Sequence, residues 1–205
     1  MDITLNFINR SDDAGNSQIL IFGKNPETSL DAIAQAWAVI PAGAPNMNHA
    51  LLYPAETGLT VQDSYGNFTP MQPAAPGQHF RFVAGEEGGA VEPAIAAGPA
   101  DQITLANDLI QGSVNACLYK GKHLYLCERH VLPGQTAAFR LKPVIWVGVA
   151  SGSDPGAGSG SATLSSDATK ISLLGLASAD VVMTGGGTGP NAEPLLFTLE
   201  NIVTA

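Results

Sequence analysis

Residues 112–149 have the sequence GSVNACLYKGKHLYLCERHVLPGQTAAFRLKPVIWVGV, and this stretch decides the fold class. Four segments rich in β-branched, aromatic and aliphatic residues follow one another in it: 112–119, 123–131, 135–141 and 143–149. Gly121 and the pair Pro133-Gly134 stand between them as turn formers. Strands that begin roughly every 8–12 residues, with turns rather than helices between them, are typical of an all-β sandwich.

The same pattern continues towards both termini. In Ile3–Asn9, apolar and polar residues alternate, which predicts a strand with one buried face. Residues 19–22 are all apolar, which predicts a strand covered on both faces. We therefore predict one domain over residues 1–205, a two-layer antiparallel β-sandwich of jelly-roll-like or Greek-key-like topology with about a dozen strands. The other predicted strands are 49–53, 58–64, 78–84, 102–106, 162–165, 170–176, 180–184 and 195–203.

One short helix is predicted near residues 29–38. Thr28 and Ser29 can cap its N-terminus, and apolar residues recur on one face up to Trp37. This helix would cover the strand at residues 19–22. The alternative for its C-terminal end is a strand over Ala36–Ile40, which leads to Pro41.

The charge of the chain narrows its possible partners. Eighteen acidic residues against nine basic ones give a formal net charge of −9, and no cluster of Lys and Arg is present. Such a field repels phosphate backbones, so we expect no nucleic-acid partner. The start of the chain lacks a basic and then apolar leader, and Val144–Ala150 is too short to span a bilayer. We expect no transmembrane segment, and a protein that is cytoplasmic or exported without an N-terminal signal peptide.

The two cysteines flank a predicted hairpin. With a turn centred on Gly121, Cys117 would face Tyr125, and Cys127 would be a diagonal neighbour. Diagonal neighbours are about 7–8 Å apart, so a disulfide would be strained. We favour two buried free thiols, with the disulfide as the alternative.

The most suggestive polar and aromatic residues lie in the segment 46–70. Aromatic faces beside amide and carboxylate groups suit sugars and small polar ligands, and the candidate binding residues are His49, Tyr53, Asp63, Tyr65 and Asn67. The alternative is an ordinary hairpin, since Asp-Ser-Tyr-Gly-Asn at 63–67 is also a good turn sequence.

No motif for metal or nucleophilic catalysis is present. The chain contains no HExxH and no GxSxG nucleophile elbow, and Gly185–Gly187 lacks the Lys-Ser/Thr of a phosphate loop. His49, Asp12 and Asp13 are weak candidates for metal ligands because they would have to be assembled from separate loops. We expect no cofactor, with calcium or zinc as the alternatives.

Two further features leave alternatives open. The Gly/Ser-rich stretch within residues 150–187 is either a long surface loop or part of a weakly packed hairpin that could refold into a membrane. Pro-Gly-Gln occurs at 76–78 and at 133–135, each time before an apolar strand, which indicates either an internal duplication or a chance similarity of two turns.

These observations favour a non-enzymatic binding or self-assembly protein. It would recognise a partner surface, a glycan or a second copy of itself through its loops, because few charges protect its sheet edges. The alternative is a secreted toxin or pore-forming component that uses the 150–187 region. A metal-dependent enzyme is the third hypothesis.

Overall fold

The structure is a computed structural model that describes residues 1–13, 17–27, 36–41, 43–86, 88–151, 168–187 and 192–205. Every helix or strand element within these ranges is a β-strand, so the predicted all-β class is confirmed. The first eight strands are β1 Ile3–Asn9, β2 Ser17–Phe22, β3 Ala38–Pro41, β4 Asn48–Tyr53, β5 Gly58–Gln62, β6 Gln72–Pro73, β7 His79–Gly85 and β8 Gly88–Pro93. The second eight are β9 Gln102–Asn107, β10 Val114–Lys120, β11 His123–Val131, β12 Thr136–Arg140, β13 Val144–Ser151, β14 Thr169–Ser172, β15 Leu176–Gly186 and β16 Glu193–Thr204.

The predicted helix at 29–38 falls mainly on residues 28–35, which lie outside the described residues. Where its C-terminal end is described, the alternative strand is confirmed, because β3 begins at Ala38 and pairs antiparallel with β2. Just before it, the N–H of Trp37 donates to the carbonyl of Ile21 at 2.7 Å. Beside the unpaired edge of β2, a β-branched and aromatic sequence is stabilised more by pairing with that strand than by forming a last helical turn.

The contacts between strands divide the chain into two compact units, which we describe separately. Unit 1 comprises Met1–Lys24, Ile33–Ala55 and Pro143–Ala205, and unit 2 comprises Asn25–Ala32 and Glu56–Lys142. Each unit draws on both halves of the chain. The predicted single domain over residues 1–205 stays a prediction.

Unit 1 consists of two four-stranded sheets, with strand orders β16-β15-β1-β4 and β14-β13-β2-β3. The strand β2 is buried at all four residues from Ile19 to Phe22, as its continuous apolar sequence predicted. In β1, the alternate residues Ile3, Leu5 and Phe7 are buried, which places one face of its sheet on the core. Burying a side chain of this size contributes about 1.5–3 kcal/mol.

Unit 2 also consists of two four-stranded sheets, with strand orders β11-β10-β5-β6 and β12-β9-β7-β8. Its fully buried side chains include Leu59, Phe82, Ile103, Leu118 and Phe139. Two sheets around an apolar core in each unit agree with the predicted sandwich. The described residues form sixteen strands rather than a dozen, and two of the pairings, β1 with β15 and β7 with β9, are parallel.

The prediction of two free thiols is wrong, because Cys117 and Cys127 form a disulfide. The two residues are directly opposite each other in β10 and β11, with a Cα–Cα distance of 4.2 Å. An irregularity between Leu118 and Tyr119 shifts the register, so that Tyr125 is skipped in the pairing. A bulge of this kind converts the predicted diagonal pair into a facing pair, which a disulfide can bridge.

Candidate functional site

The five predicted binding residues are divided between the two units. His49 and Tyr53 belong to β4 in unit 1, whereas Asp63, Tyr65 and Asn67 belong to the turn after β5 in unit 2. Tyr53 is a core residue, 6 % exposed, and its ring meets the ring of Trp37 edge-on at 5.4 Å between centroids. His49 is exposed on β4. The three residues of unit 2 therefore form the part of the predicted site that one unit brings together.

Asp63 organises the turn that holds these three residues. One oxygen of its carboxylate accepts the backbone N–H groups of Tyr65 and Asn67, each at 2.9 Å, and the other accepts Asn67 Nδ2 at 3.0 Å. The hydrogen bond from the Asn67 side chain is the main cause that lowers the pKa of Asp63 below its ordinary value. Because its oxygens are engaged within the turn, Asp63 shapes the loop, while Tyr65 remains 89 % exposed.

Three loops of unit 2 emerge at the same end of its sheets. The last residue of β5, Gln62, pairs with Asn115 near the start of β10, and Val114 pairs with Val131 at the end of β11. The loops 63–71, 108–113 and 132–135 therefore begin or end side by side. We call this end of unit 2 the loop end.

Asn107, the last residue of β9, ties two of these loops together from inside the protein. Its side chain is fully buried, and Nδ2 donates to the carbonyls of Gly112 at 3.0 Å and Val131 at 2.9 Å. Its Oδ1 accepts the N–H of Leu109 at 3.1 Å. One side chain therefore satisfies three backbone groups that the bends of the chain would otherwise leave without partners.

The backbone of Asn107 is hydrogen-bonded to the loop 132–135. Its N–H donates to the carbonyl of Gln135 at 2.9 Å, and its carbonyl accepts the N–H of Gly134 at 2.7 Å. The loop 132–135 is itself a tight turn, since the N–H of Gln135 donates to the carbonyl of Leu132 at 2.9 Å and Gly134 has a φ of 76°. These hydrogen bonds fix the shape of the loops 108–113 and 132–135.

Large apolar side chains project from this framework into solvent. Exposure is 89 % for Tyr65, 54 % for Phe68, 100 % for Ile110 and 51 % for Leu132. We call these four side chains the apolar loop patch. A single exposed apolar residue is ordinary, whereas four of them on neighbouring loops make this end of the sheet the candidate interaction surface of unit 2.

Two charged groups near the patch, Asp63 and Asp108, are engaged with their own neighbours. Asp63 is held within its turn, and Asp108 forms an ion pair with Arg81 on β7. Asp108 also continues the framework, because its N–H donates to the carbonyl of Phe82 at 2.9 Å. The loop end therefore presents apolar side chains on a backbone whose polar groups are largely satisfied.

The candidate metal ligands, His49, Asp12 and Asp13, all lie in unit 1. An oxygen of Asp13 accepts the hydroxyl of Ser17 at 3.1 Å, and the N–H of Asp12 donates to the carbonyl of Gly185 at 2.8 Å. Among the described residues, no three His, Cys, Asp or Glu side chains are close enough together to hold a metal ion. The expectation that no cofactor is needed stays a prediction.

The region 150–187 is described at its two ends, and residues 152–167 lie outside the described residues. The strand β15 is an inner strand between β1 and β16, with Val181, Val182 and Met183 fully buried. It differs from the weakly packed hairpin of the pore-forming hypothesis, because it would have to leave two neighbouring strands to enter a membrane. Within the described ranges there is also no helix of the length and apolar character needed to cross a membrane.

Comparison of the chain with protein-family models, with curated proteins and with solved structures finds no match.

Sequence reasoning missed the residue that organises the loop end. Asn107 follows the strand-like Ile-Thr-Leu-Ala, and the next residues, Asp-Leu-Ile-Gln-Gly, combine turn formers with two apolar side chains. An Asn at the end of a strand, followed by an apolar residue in a polar loop, was the available signal. It is weak, because the same pattern fits an ordinary turn.

Proposed function

We propose that this chain is a non-enzymatic binding protein that recognises a protein partner through the apolar loop patch. The observation that supports the proposal is the exposure of Tyr65, Phe68, Ile110 and Leu132 on loops that hydrogen bonds hold in place. Asp63 makes these bonds within the turn that carries Tyr65, and the buried Asn107 makes them to the other two loops. Loops with a fixed shape lose little conformational entropy on binding, so more of the contact energy appears as affinity.

The chemistry of the patch favours a protein surface over a glycan. Two of its four side chains, Ile110 and Leu132, are aliphatic and offer no hydrogen bonds. Sugar sites need free polar groups beside the aromatic ring, whereas the carboxylate of Asp63 and the amide of Asn67 bind each other. Aromatic and aliphatic anchors surrounded by satisfied polar groups are typical of the centre of a protein–protein interface.

Replacement of apolar side chains of the patch by aspartate tests this proposal. We expect the double variant Tyr65→Asp, Ile110→Asp to weaken partner binding by several hundredfold, because each side chain is an anchor worth about 2 kcal/mol, or about thirtyfold. The matched control is Ile95→Asp, which changes a fully exposed isoleucine in the loop between β8 and β9, at the opposite end of unit 2. The measurement is quantitative affinity capture with wild type and both variants as baits, followed by titration of the captured protein.

The outcome decides between the partner classes. Loss of one captured protein with the double variant, and its retention with Ile95→Asp, would support the proposal. Equal capture by all three baits would overturn it. Binding of a glycan array that depends on Tyr65 would replace the protein partner with a sugar.

A second candidate function, self-association, is favoured by the edge strand β16. This strand is twelve residues long, and within the described residues it pairs only with β15. Leu196, Ile202 and Val203 are each 53 % exposed on it, and it contains no Lys or Arg. Long apolar edges without such charges pair readily with further strands.

The sequence of β16 is compatible with antiparallel pairing to a second copy. Centring the pair on Leu199 places Leu196 opposite Ile202 and Glu200 opposite Thr198, so no two glutamates face each other. Apolar pairs across strands stabilise a ladder, whereas like charges directly opposite destabilise it.

Sedimentation velocity tests the second candidate. We expect wild type to shift from monomer towards dimer as the concentration rises to about 100 µM, in the range of weak association. Ile202→Lys should remain monomeric, because an edge lysine blocks pairing. Leu52→Lys is the control, since Leu52 is equally exposed, at 53 %, on the other edge strand of the same sheet. A wild type that stays monomeric throughout would rule out this mode of assembly.

A further inference from the structure

We infer that the chain is a tandem duplication of an eight-strand repeat whose two copies have exchanged their last four strands. The repeats are β1–β8 and β9–β16. Unit 1 contains the first four strands of the first repeat and the last four of the second, and unit 2 contains the reverse combination. The inference rests on the topology and is independent of the proposed function.

The strand pairings of the two units are identical after a shift of eight strands. In unit 1, β1 pairs antiparallel with β4, β2 pairs antiparallel with β13, and β1 pairs parallel with β15. In unit 2, β9 pairs antiparallel with β12, β10 with β5, and β9 pairs parallel with β7. The hairpins also correspond: β2–β3, β13–β14 and β15–β16 match β10–β11, β5–β6 and β7–β8.

The correspondence includes the one parallel pairing that the described residues of each unit form. Parallel pairs need a long crossover and are less common than antiparallel ones, so their recurrence at the same place is informative. Both first strands also end in a buried asparagine, Asn9 in β1 and Asn107 in β9.

The hydrogen bonds at the ends of these two strands match atom by atom. Asn9 in β1 is 1 % exposed, and its N–H donates to the carbonyl of Met47 at 3.1 Å, as Asn107 donates to Gln135 at 2.9 Å. The carbonyl of Asn9 accepts the N–H of Asn46 at 2.6 Å, the counterpart of Gly134 at the other corner.

The side chains of the two asparagines also make equivalent hydrogen bonds. Oδ1 of Asn9 accepts the N–H of Ser11, two residues on, at 2.9 Å, as Oδ1 of Asn107 accepts that of Leu109 at 3.1 Å. The residue after each asparagine then donates to the parallel strand. Arg10 donates to the carbonyl of Met183 at 2.8 Å, and Asp108 donates to that of Phe82 at 2.9 Å.

The turns before the fourth strands of the two repeats match as well. Both contain proline at the second position, in Ala-Pro-Asn-Met at 44–47 and Leu-Pro-Gly-Gln at 132–135. Met47 N–H donates to the Ala44 carbonyl at 3.0 Å, as Gln135 donates to Leu132 at 2.9 Å. The third residues, Asn46 and Gly134, both have positive φ, at 70° and 76°.

This duplication differs from the one that the repeated Pro-Gly-Gln sequence suggested. The copy at 133–135 corresponds to 45–47, whereas the copy at 76–78 corresponds to 174–176, where Gly77 and Gly175 both have positive φ. The two Pro-Gly-Gln sequences therefore occupy different corners of the repeat, and their similarity is the chance similarity of two turns.

The exchange takes place at two short linkers. The chain leaves unit 1 after β4 and enters β5 through residues 54–57, and it leaves unit 2 after β12 and enters β13 through residues 141–143. Each linker contains a proline, Pro54 or Pro143. Short, stiff hinges disfavour folding back of a repeat on itself and favour exchange.

Cleavage of the intact protein between its repeats tests the inference. A protease site inserted after Ile95, in the exposed loop between β8 and β9, allows the folded full-length chain to be cut at the repeat boundary. We expect the two fragments to elute together in native gel filtration and to separate only in denaturant, because each unit needs both fragments. Uncut protein with the same insertion is the control.

A circular permutant tests the duplication separately from the exchange. Ala205 would be joined to Met1 by eight residues, the length of the 94–101 connection between β8 and β9, and the chain would open between 97 and 98. We expect the permutant to fold, with an unfolding midpoint within about 5 °C of wild type. Fragments that separate into two folded monomers would overturn the exchange. A permutant that fails to fold while the cut protein stays intact would overturn the equivalence of the repeats.

Discussion

Asn107→Ala is expected to lower the free energy of unfolding by about 3–4 kcal/mol, among the largest effects of any single substitution in unit 2. The substitution removes the partners of the carbonyls of Gly112 and Val131 and of the N–H of Leu109. The carbonyl of Val131 would be left buried without a partner, which costs about 1–3 kcal/mol, and the two part-buried groups add about 0.5–1.5 kcal/mol each. Urea-induced unfolding, followed by circular dichroism, measures the change.

The matched control is Asn115→Ala. Asn115 is half-buried, donates to the side chain of Gln62 at 3.0 Å and accepts the N–H of His130 at 3.0 Å. Water can replace these partners, so a loss of about 1 kcal/mol is expected. A loss of that size for Asn107→Ala would show that the loop end does not depend on the buried asparagine.

The same experiment at Asn9 compares the two repeats. Asn9→Ala removes the donor to the carbonyl of Gly43 and the acceptor for Ser11, whose side chain is also buried. We expect a loss within about 1 kcal/mol of that for Asn107→Ala, since each asparagine satisfies a similar set of backbone groups. A much smaller loss would contradict the structural equivalence of the two corners.

Gly89→Ala is expected to destabilise the protein by about 3 kcal/mol, because the added methyl group would have to displace a buried aromatic ring. Gly89 lies on β8 opposite Ala84, and a Cβ atom there would overlap the ring of Phe82. Phe82 is 1 % exposed, so displacing its ring would disturb the buried side chains around it. Thermal unfolding monitored by calorimetry would detect the change.

A double-mutant cycle supplies the control for this prediction. Phe82→Ala alone is expected to cost about 3–5 kcal/mol through the cavity that it leaves. In that background, Gly89→Ala should cost less than about 1 kcal/mol, because the obstructing ring is gone. Additive losses would show that the Phe82 ring is not what excludes a side chain at position 89.

Several elements of the fold follow from local sequence alone. Alternation in Ile3–Asn9 and the apolar run at 19–22 predicted a half-buried strand and a fully buried one, and both are confirmed. The strands that were missed are β6 and β8, whose sequences, Gln-Pro and Gly-Gly-Ala-Val-Glu-Pro, are those of turns. They are strands because a neighbouring strand offers hydrogen bonds, which the local sequence does not record.

The candidate site divides in the same way. The turn at 63–67 could be recognised because an Asp-to-Asn hydrogen bond is local in sequence. The partners of Tyr65 in the patch, Ile110 and Leu132, are 45 and 67 residues further along the chain, and the register of three strands brings them together. His49 and Tyr53, which seemed equally suggestive in sequence, belong to the other unit.

The sequence by itself determined that this protein is built from short strands, since side-chain alternation and turn chemistry act over a few residues. The tertiary structure decided which strands pair. It placed Cys117 opposite Cys127 through a bulge, buried Asn107 beneath two loops, and gave each half of the chain to both units. Strand partners are chosen by burial and hydrogen bonding between distant segments, and segments with similar apolar patterns compete equally until the whole core is formed.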